Sequence, residues 1–219
     1  MPFLDREEAG RRLAEELAPR LTGAEVVVFA LPRGGAPVAA PIARALKAPL
    51  DLALVRKIGS PYQPELAMGA VADSGTPVVV RNEDVIELIG VSDARFNEAC
   101  AHECAEIERR RKLYFGSRRR ADARGRVAVV VDDGVATGAT TRAALRAVRA
   151  QAPKRLILAV PVASTEALDA LRAEADEIVC LEAHEYFYGV GGYYADFRQV
   201  SDDEVIELLD QYGTGAARG

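Results

Sequence analysis

The chain has 219 residues, of which 49% are hydrophobic and 28% are charged, and its formal net charge is −5. These values fit one folded domain, or one domain with a small appendage, and argue against wholesale disorder. The negative net charge argues against non-specific binding to nucleic acid or anionic membranes. The longest apolar run, residues 156–163, is much shorter than the roughly 20 residues that a membrane helix needs.

The N-terminal segment and the cysteines indicate the cellular compartment. Asp5, Glu7 and Glu8 interrupt the N-terminal segment before any apolar stretch forms, so it does not resemble a secretory signal. Three cysteines are too few for a disulfide framework, and an odd number fits a reducing environment. We therefore expect a cytoplasmic protein.

Apolar periodicity predicts a first helix and then two strands separated by a second helix. Asp5 and Glu8 have the spacing of a capping box at the start of the first helix, and Pro19 ends it. The continuous apolar composition of the first strand is typical of a strand buried on both faces. The predicted helices cover residues 6–18 and 37–46, and the predicted strands cover residues 26–31 and 50–56.

A loop and a hairpin follow the second predicted strand. Glycine, serine and two prolines within ten positions predict a mobile loop over residues 57–66. Residues 73–76 have the composition of a turn between two short strands at 68–72 and 78–81, which predicts a hairpin.

Ser92 is placed to cap a long helix over residues 92–115. Cys100 and Cys104 lie four residues apart on this helix with His102 between them, a combination that resembles a metal-binding motif. Positions 100 and 104 share one helix face whereas position 102 points nearly the opposite way, so the three side chains cannot converge on one ion. The pattern favours a half-buried helix face.

The second half of the chain repeats the strand-then-helix order more regularly. Such alternation predicts an α/β fold in which a parallel sheet is flanked by helices on both faces, forming three layers. Ligands of these sheets bind at the carboxyl ends of the strands. The predicted strands cover residues 126–131, 156–162 and 177–181, and the predicted helices cover residues 139–150 and 165–173.

We divide the chain into a core at residues 1–181 and a smaller segment at residues 182–212. The core includes the loop and hairpin insertion at residues 57–81 and the long helix at residues 92–115. The smaller segment is polar and aromatic and contains a short helix at residues 203–209. We expect the tail, residues 213–219, to be disordered.

The strongest chemical signal follows the predicted strand at residues 126–131. Two adjacent acids, Asp132 and Asp133, precede a turn of small and hydroxyl-bearing residues that leads into a helix. The N–H groups of the turn, the threonine hydroxyls and the positive end of the helix can form a cradle for a monophosphate. The carboxylates can accept hydrogen bonds from a sugar diol or hold a metal ion that the diol also binds. The combination indicates a phosphorylated sugar as ligand.

Two other phosphate-binding motifs do not match this turn. A P-loop requires the sequence Gly-Lys followed by Ser or Thr, and no lysine occurs between Asp132 and Gln151. The Rossmann fingerprint G-x-G-x-x-G is also absent from the sequence. A structural alternative remains, in which the two acids cap the helix at an ordinary strand-to-helix turn.

The acid pair and the turn resemble the signature of the type I phosphoribosyltransferases, which bind 5-phosphoribosyl 1-pyrophosphate (PRPP). The resemblance implies that Asp132 and Asp133 contact the ribose hydroxyls and that Mg²⁺, held mainly by substrate oxygens and water, bridges the diol and the pyrophosphate. The two acids are the candidate protein ligands of that Mg²⁺. The residues implied to wrap the 5′-phosphate are Val135, Ala136, Thr137, Gly138, Ala139 and Thr140. Over residues 3–209 the chain is most similar to a bacterial group of such enzymes without an assigned acceptor.

Two positions depart from the pattern of this family. Gly134 occupies a position where many members carry an aliphatic residue. Ala136 stands where the members that use 6-oxopurines place an aspartate general base, which puts hypoxanthine and guanine in doubt as acceptors and is more similar to the adenine-type loop. With alanine there, the acceptor is already a good nucleophile or is activated from elsewhere.

Two other stretches after strand ends resemble phosphate-facing loops of the family. Arg33, Gly34 and Gly35 look like the pyrophosphate loop, whose glycines expose backbone N–H groups. Arg56 and Lys57 look like the start of the flexible catalytic loop that closes over the pyrophosphate. The resemblance implies that Arg33 and Lys57 act with the acid pair in catalysis by stabilising the departing pyrophosphate. As plain structure, the first stretch would be an ordinary turn and the second a solvated cationic pair.

The segment after the last predicted strand, called the hood in this family, would select the acceptor. Six of the 13 aromatic residues fall between positions 186 and 197, a density that suits stacking on a planar ring. The candidates for facing the acceptor are Tyr186, Phe187 and Tyr188, with His184 and Glu185 as polar contacts. The aromatic residues expected to form a small separate core instead are Tyr193, Tyr194 and Phe197.

Residues 109–126 carry nine lysines or arginines in 18 positions. A basic helix end of this kind can hold nucleic acid or an anionic effector. It is more simply explained as a solvated helix end, where cations suit the helix dipole, followed by a polar linker.

The sequence therefore predicts a pentosyltransferase that uses PRPP and Mg²⁺ in nucleotide metabolism and salvage, transferring phosphoribosyl to a nitrogenous base or related small acceptor. The alternative is a non-catalytic sensor of PRPP or nucleotide with the same fold. Because the chain shows no appended helix-turn-helix and no positive net charge, it does not resemble a DNA-binding repressor. An RNA-binding attenuator that uses the basic run at residues 109–126 is a further form of this alternative. The intact acid pair disfavours a third interpretation, a partner domain with a vestigial site. The resemblance implies a homodimer, and we expect neither a membrane nor nucleic acid as a partner.

Overall fold

The computed structural model describes residues 2–63, 66–73 and 77–214. Its larger sheet has five strands, and all four neighbouring pairs are parallel. In spatial order the strands are β2 (Leu50–Leu52), β1 (Val26–Ala30), β6 (Val127–Val131), β7 (Arg155–Ser164) and β8 (Glu177–His184). The predicted parallel α/β sheet is confirmed.

The central strands are apolar throughout because both of their faces are covered. Every residue of β1 and β6 is buried. Along β1, Val26 and Val28 point into one core cluster, whereas Val27 and Phe29 point into the other. Because successive side chains of a strand point to opposite faces, the apolar run of β1 contributes to both core clusters.

Five helices cover the two faces of this sheet. One core cluster includes Leu13, Val38 and Val205, which lie on helices of one layer. The other cluster includes Leu145 and Leu171 from the opposite layer. The first layer consists of α1 (Arg6–Leu17), α2 (Gly35–Leu46) and α7 (Asp202–Tyr212), and the second contains α5 (Ala139–Arg149) and α6 (Thr165–Leu171). This is the predicted three-layer arrangement.

A second, smaller sheet is built from the hairpin region. Its three antiparallel strands are β3 (Val55–Gly59), β4 (Ala67–Asp73) and β5 (Pro77–Arg81). The helices α3 (Glu83–Ile89) and α4 (Asp93–Phe115) pack on it, and α5 also contacts β3 and β4. The shared core contains Ile58, Met68, Ile86, Val91 and Phe96. The predicted hairpin and long helix are confirmed, and the hairpin turn at residues 74–76 lies outside the described residues.

The prediction of one strand over residues 50–56 is wrong, and the predicted loop begins after Gly59 rather than at residue 57. The chain leaves the larger sheet after Leu52 and joins the smaller sheet at Val55. Lys57 lies within β3 opposite Ala70, because β4 offers it a hydrogen-bonding edge. Residues 64 and 65 of the predicted loop lie outside the described residues.

Smaller differences concern the ends of elements. The helix α3 was not predicted, and α2 begins at Gly35 rather than at residue 37. The last strand, β8, continues to His184, because β7 extends far enough to pair Ser164 with His184. Of the predicted tail, only Gly213 and Thr214 lie among the described residues. No helix in the described part of the chain has both the length and the apolarity needed to span a membrane.

Candidate functional site

The turn after β1 packs directly against the end of β6. The N–H of Leu31 donates to the carbonyl of Val131 at 2.9 Å. A Cβ atom on Gly35 would lie 2.7 Å from that same carbonyl oxygen, and a Cβ atom on Gly34 would collide with the carboxylate of Asp133. The peptide bond between Pro32 and Arg33 in this turn is cis. The structure therefore brings the predicted pyrophosphate loop and the acid pair together.

The carboxylate of Asp132 accepts hydrogen bonds from neighbouring groups of the protein. Its Oδ1 accepts a hydrogen bond from the N–H of Asp133 at 3.0 Å, and its carboxylate also accepts from the hydroxyl of Thr141 on α5. Burial raises the pKa of Asp132 well above its ordinary value, and the negative charge of Asp133 acts in the same direction. Asp132 is thus a partly buried carboxyl whose hydrogen bonds fix its orientation.

Asp133 has a cationic partner that the sequence motif does not contain. The Nε of Arg6 lies 2.8 Å from Oδ2 of Asp133, and the two side chains are 11% and 15% exposed. Burial raises the pKa of Asp133, whereas the hydrogen bond and the charge of Arg6 lower it. Arg6 thereby favours the ionised form of a carboxylate that is largely removed from water.

Residues of the hood contact both Arg6 and the backbone of Asp133. The guanidinium of Arg6 lies 3.8 Å from the ring centre of Phe197 and donates to the carbonyl of Arg198 at 2.8 Å. The hydroxyl of Tyr194 donates to the backbone carbonyl of Asp133 at 2.5 Å. Sequence reasoning missed Arg6 and this role of Tyr194, because neither belongs to a local motif around the acids.

The predicted phosphate-binding turn, residues 135–140, is hydrogen-bonded to β7 on one side and exposed to solvent on the other. The N–H of Val135 donates to the carbonyl of Val162 at 2.9 Å, and the hydroxyl of Ser164 donates to the carbonyl of Ala136 at 2.7 Å. Gly138, with a φ of 76°, precedes the first residue of α5. The exposed residues of the turn are Ala136, Thr137, Ala139 and Thr140. The turn therefore presents small and hydroxyl-bearing residues to solvent at a helix start, where an anion is favoured.

The departure at Gly134 has a steric reason. A Cβ atom there would lie 2.5 Å from Cγ1 of Val190 in the hood. Val190 begins a short 3₁₀ turn, Val190–Tyr193, that sits on this part of the site. Glycine thus permits the hood to approach the acid pair closely.

Arg33 lies beside the first turn of α7. Its Nη1 is 3.6 Å from Oδ1 of Asp202, and the side chain is 37% exposed. The buried Tyr114 donates its hydroxyl to the same Asp202 oxygen at 2.5 Å. Arg33 is therefore at the edge of the site, loosely paired and open to solvent.

The structure places Arg56 and Lys57 on β3 of the smaller sheet. The Nε of Arg56 forms an ion pair with Glu103 on α4 at 2.7 Å. Because successive side chains of a strand point to opposite faces, Lys57 lies on the other side of the sheet from Arg56. Arg56 is thus engaged by the long helix rather than by the acid pair.

The hood aromatics divide into exposed and packed groups. Tyr186 and Tyr188 are 75% and 95% exposed, whereas the ring of Phe187 stacks on Tyr193 at 5.0 Å. Tyr194 is buried in a small core with Phe3, as predicted. An open depression of about 410 Å³ is lined by Tyr188, Gly189, Gly191, Gly192 and Tyr193.

The remaining candidates of the hood and of its core differ in exposure. The ring of His184 lies against Tyr193 at 4.5 Å, and Glu185 is exposed. Phe197, expected in the small core, is 37% exposed and carries the guanidinium of Arg6 on its ring. The aromatic cluster therefore contributes both to a hydrophobic core and to the acid pair.

The donor atoms of the site suit a metal ion that brings most of its own ligands. Among the described residues no three His, Cys, Asp or Glu side chains are grouped so that they could hold a metal. Cys100 and Cys104 share a helix face with their Sγ atoms 4.0 Å apart, while His102 is exposed, as the helix geometry predicts. The acid pair offers at most two carboxylates, which fits Mg²⁺ held mainly by substrate oxygens and water.

Carboxylates of the same chain neutralise much of the basic run at residues 109–126. Arg109 and Arg110 both bind Glu106, and Arg118 binds Asp210. These contacts favour the interpretation of the run as a solvated helix end and linker.

The chain is similar to several known proteins. The family model described as "Phosphoribosyl transferase domain" matches residues 4–198. A Mycobacterium tuberculosis (strain CDC 1551) protein named "Putative phosphoribosyl transferase" is 44% identical over 209 residues, which are 95% of this chain and 46% of the relative. The values are the same for the protein of strain H37Rv. The chain thus spans about half the length of these curated relatives.

A solved structure is similar over its entire length. Protein TT1426 from Thermus thermophilus is 42% identical to this chain, with a TM-score of 0.84. The match covers 98% of this chain and 100% of the other.

Proposed function

Because this chain belongs to the phosphoribosyl transferase domain family, we propose that it transfers the phosphoribosyl group of PRPP to a nitrogenous base or related small acceptor and releases pyrophosphate. The observation that carries the proposal is the direct packing of the glycine turn at residues 33–35 against Asp133 at the carboxyl ends of β1 and β6. Parallel α/β sheets bind their ligands at this edge.

The proposed reaction breaks the bond between the ribose C1 and the pyrophosphate oxygen and forms a bond from C1 to a nitrogen of the acceptor. Positive charge develops on the ribose as the leaving group departs. The carboxylates of Asp132 and Asp133 would hold the ribose diol and stabilise that charge. The open turn at residues 135–140 would hold the 5′-phosphate.

The leaving pyrophosphate requires positive charge and hydrogen-bond donors. The turn at residues 33–35, together with the Arg33 side chain at its edge, would supply them, with Lys57 as a further cation. The N–H of Gly35 donates to the carbonyl of Leu31 at 2.9 Å, so the backbone donor at this turn would be the N–H of Gly34. Mg²⁺ bound with PRPP would neutralise part of the pyrophosphate charge, and Asp132 and Asp133 are the residues that would hold it. Arg56, the other candidate cation, would have to exchange its ion pair with Glu103 for the pyrophosphate.

The hood would receive the acceptor. Tyr186 and Tyr188 are exposed aromatic side chains, and Ala136 in the neighbouring turn supplies no proton acceptor. We therefore propose an acceptor that does not need a side-chain base at this position. On the family resemblance, we further propose a cytoplasmic homodimer that acts in nucleotide metabolism and salvage.

The test is a turnover assay with labelled PRPP, Mg²⁺ and a pool of purines, pyrimidines and pyridine carboxylates, in which pyrophosphate and labelled products are followed. We expect base-dependent pyrophosphate release that falls by about 100-fold or more in Asp133→Asn, because an electrostatic partner of the transition state is lost. The matched control is Asp169→Asn, an exposed carboxylate on α6 paired with Arg172, which should retain activity. Donor binding without turnover on any base would instead favour a sensor of PRPP.

A further inference from the structure

Arg6 gathers contacts from three separate parts of the chain. It lies in the first turn of α1, and its side chain is only 11% exposed. Its Nε donates to Asp133 at 2.8 Å, and its Nη1 donates to the carbonyl of Arg198 at 2.8 Å. The face of the same guanidinium lies 3.8 Å from the ring centre of Phe197. One side chain thus connects the first helix, the acid pair and the hood.

The backbone around Arg6 is fixed independently of its side chain. The N–H of Phe3 donates to the carbonyl of Tyr193 at 2.8 Å, and the N–H of Ala195 donates back to the carbonyl of Phe3 at 2.8 Å. Asp5 caps α1 by accepting from the N–H of Glu8 at 2.7 Å. Residues 3–5 therefore form a short strap along the hood that leads directly into the turn carrying Arg6.

The contacts on Asp133 restrict its carboxylate from several sides. Arg6 binds Oδ2, the Gly34 backbone packs on the carboxylate, and Tyr194 holds the backbone carbonyl of the same residue. Since rotation about χ1 or χ2 of Asp133 would break the bond to Arg6, the carboxylate has one orientation while Arg6 is in place.

We propose that Arg6 is a positioning residue that orients the Asp133 carboxylate toward the ribose diol of the donor. The inference rests on the proposed function, because it assigns Arg6 a task in the donor site. An arginine suits this task, since its planar group donates to two acceptors at once while its face stacks on an aromatic ring. A lysine keeps the charge but cannot make all three contacts.

The experiment measures how well the protein distinguishes ribose 5-phosphate from 2-deoxyribose 5-phosphate by isothermal titration. The sugars share the 5-phosphate and differ in one hydroxyl of the diol. We expect the wild-type chain to prefer the ribose form about tenfold, the range of one charge-assisted hydrogen bond. In Arg6→Met the preference should approach one, and in Arg6→Lys it should fall to an intermediate value.

A purely structural role for Arg6 would weaken the binding of both sugars equally and leave their ratio unchanged, which would overturn the inference. The matched control is Arg11→Met, on the exposed side of the same helix and paired with Glu7 at 3.0 Å, which should retain the wild-type ratio.

Failure of the wild-type chain to bind either sugar phosphate or PRPP would overturn the proposed function itself. Wild-type binding of both sugars with equal affinity would overturn the role of Asp133 at the diol, and with it the task of Arg6. If Arg6→Met does not fold, the charge-preserving Arg6→Lys variant supplies the same comparison.

Discussion

At position 34 a side chain as small as a methyl group would occupy the space of the Asp133 carboxylate. Glycine is required there for close approach rather than for a left-handed backbone, because the φ of Gly34 is −60°. The contact joins the two turns of the candidate site through van der Waals packing.

We expect Gly34→Ala to destabilise the protein by about 1–3 kcal/mol, the usual cost of overpacking a tightly filled position. It should also abolish donor binding, since the displaced carboxylate is Asp133. The measurement is the free energy of unfolding in urea, combined with titration of PRPP.

The double variant with Asp133→Ala provides the control for this prediction. Removing the carboxylate creates room for the new methyl group, so Gly34→Ala should cost less than about 1 kcal/mol in that background. Equal costs in the two backgrounds would show that the steric contact is not the cause.

Single residues of the site differ in how far they can be predicted. Asp132 and Asp133 are recognisable because a buried strand, two acids and a small-residue turn are consecutive in the sequence. Arg6 and Tyr194 are not, because they are 127 and 61 positions away from Asp133. Their roles depend on the tertiary fold, which no local spacing encodes.

Among the elements, α7 has a start that is well defined by its sequence. The Ser201 hydroxyl accepts from the N–H of Glu204 at 3.1 Å, and the Glu204 carboxylate accepts from the N–H of Ser201 at 2.8 Å. Glu204 also binds Arg198, which follows the hood aromatics. These bonds lower the pKa of Glu204 to about 2, with the Arg198 hydrogen bond as the largest cause.

Glu204→Gln should therefore reduce stability in a pH-dependent way. Because the carboxylate pKa is lower in the folded state than its ordinary value of about 4.3, the carboxylate stabilises the fold above that value and loses its contribution as the pH falls toward about 2. We expect a loss of about 1 kcal/mol at pH 7, the range of a helix cap, that shrinks steadily below pH 4.

Urea unfolding at several pH values between 7 and 3 would measure this difference. Glu207→Gln is the control, since Glu207 is an exposed carboxylate of the same helix outside the capping box. A stability difference that stays constant over this range would contradict the assigned role of Glu204.

Elements were predictable where their pattern is strong and local. The apolar runs of β1, β6 and β7 and the capped long helix α4 were found within a few residues of their bounds. The division of residues 50–59 between two sheets was not, because the apolar composition continues across the break at Ala53 and Leu54. Only the partner edges in three dimensions separate β2 from β3.

In the whole molecule, Arg120 links the two sheets. Its guanidinium binds Asp51 on β2 at 2.9 Å and Asp73 on β4 at 2.7 Å. Both carboxylates are buried, and burial raises the pKa of Asp51 while Arg120 opposes that change. The guanidinium of Arg120 thus offsets much of the free-energy cost of burying the two carboxylates.

We expect Arg120→Met to destabilise the protein by about 3 kcal/mol, because it leaves two buried carboxylates without their shared cation. Amide hydrogen exchange should also become faster in β4, where Asp73 lies. Arg119→Met, at the exposed neighbouring position, should have little effect. A similar loss of stability in the two variants would contradict the assigned link.

For the whole molecule, the sequence predicted the three-layer architecture and the placement of the candidate site residues at the carboxyl edge of the sheet. The alternation of buried strands and helices is sufficient for both, since parallel strands need crossovers and their carboxyl ends meet at one edge. The strap of residues 3–5 along the hood could not be predicted, because its backbone bonds connect segments almost the whole chain apart.

That strap bears on the order in which the protein is assembled during synthesis. Arg6 and the carbonyl that it binds at Arg198 are separated by 192 positions. The ribosome releases the first helix and the central strands well before the hood, and contacts so distant in sequence form late. A nascent chain that ends before residue 193 can thus pair β1 with β6 while Arg6 still lacks its aromatic and carbonyl partners. Completion of the proposed donor site would wait until the hood has emerged, so a translation product interrupted before residue 193 would carry the sheet without the oriented acid.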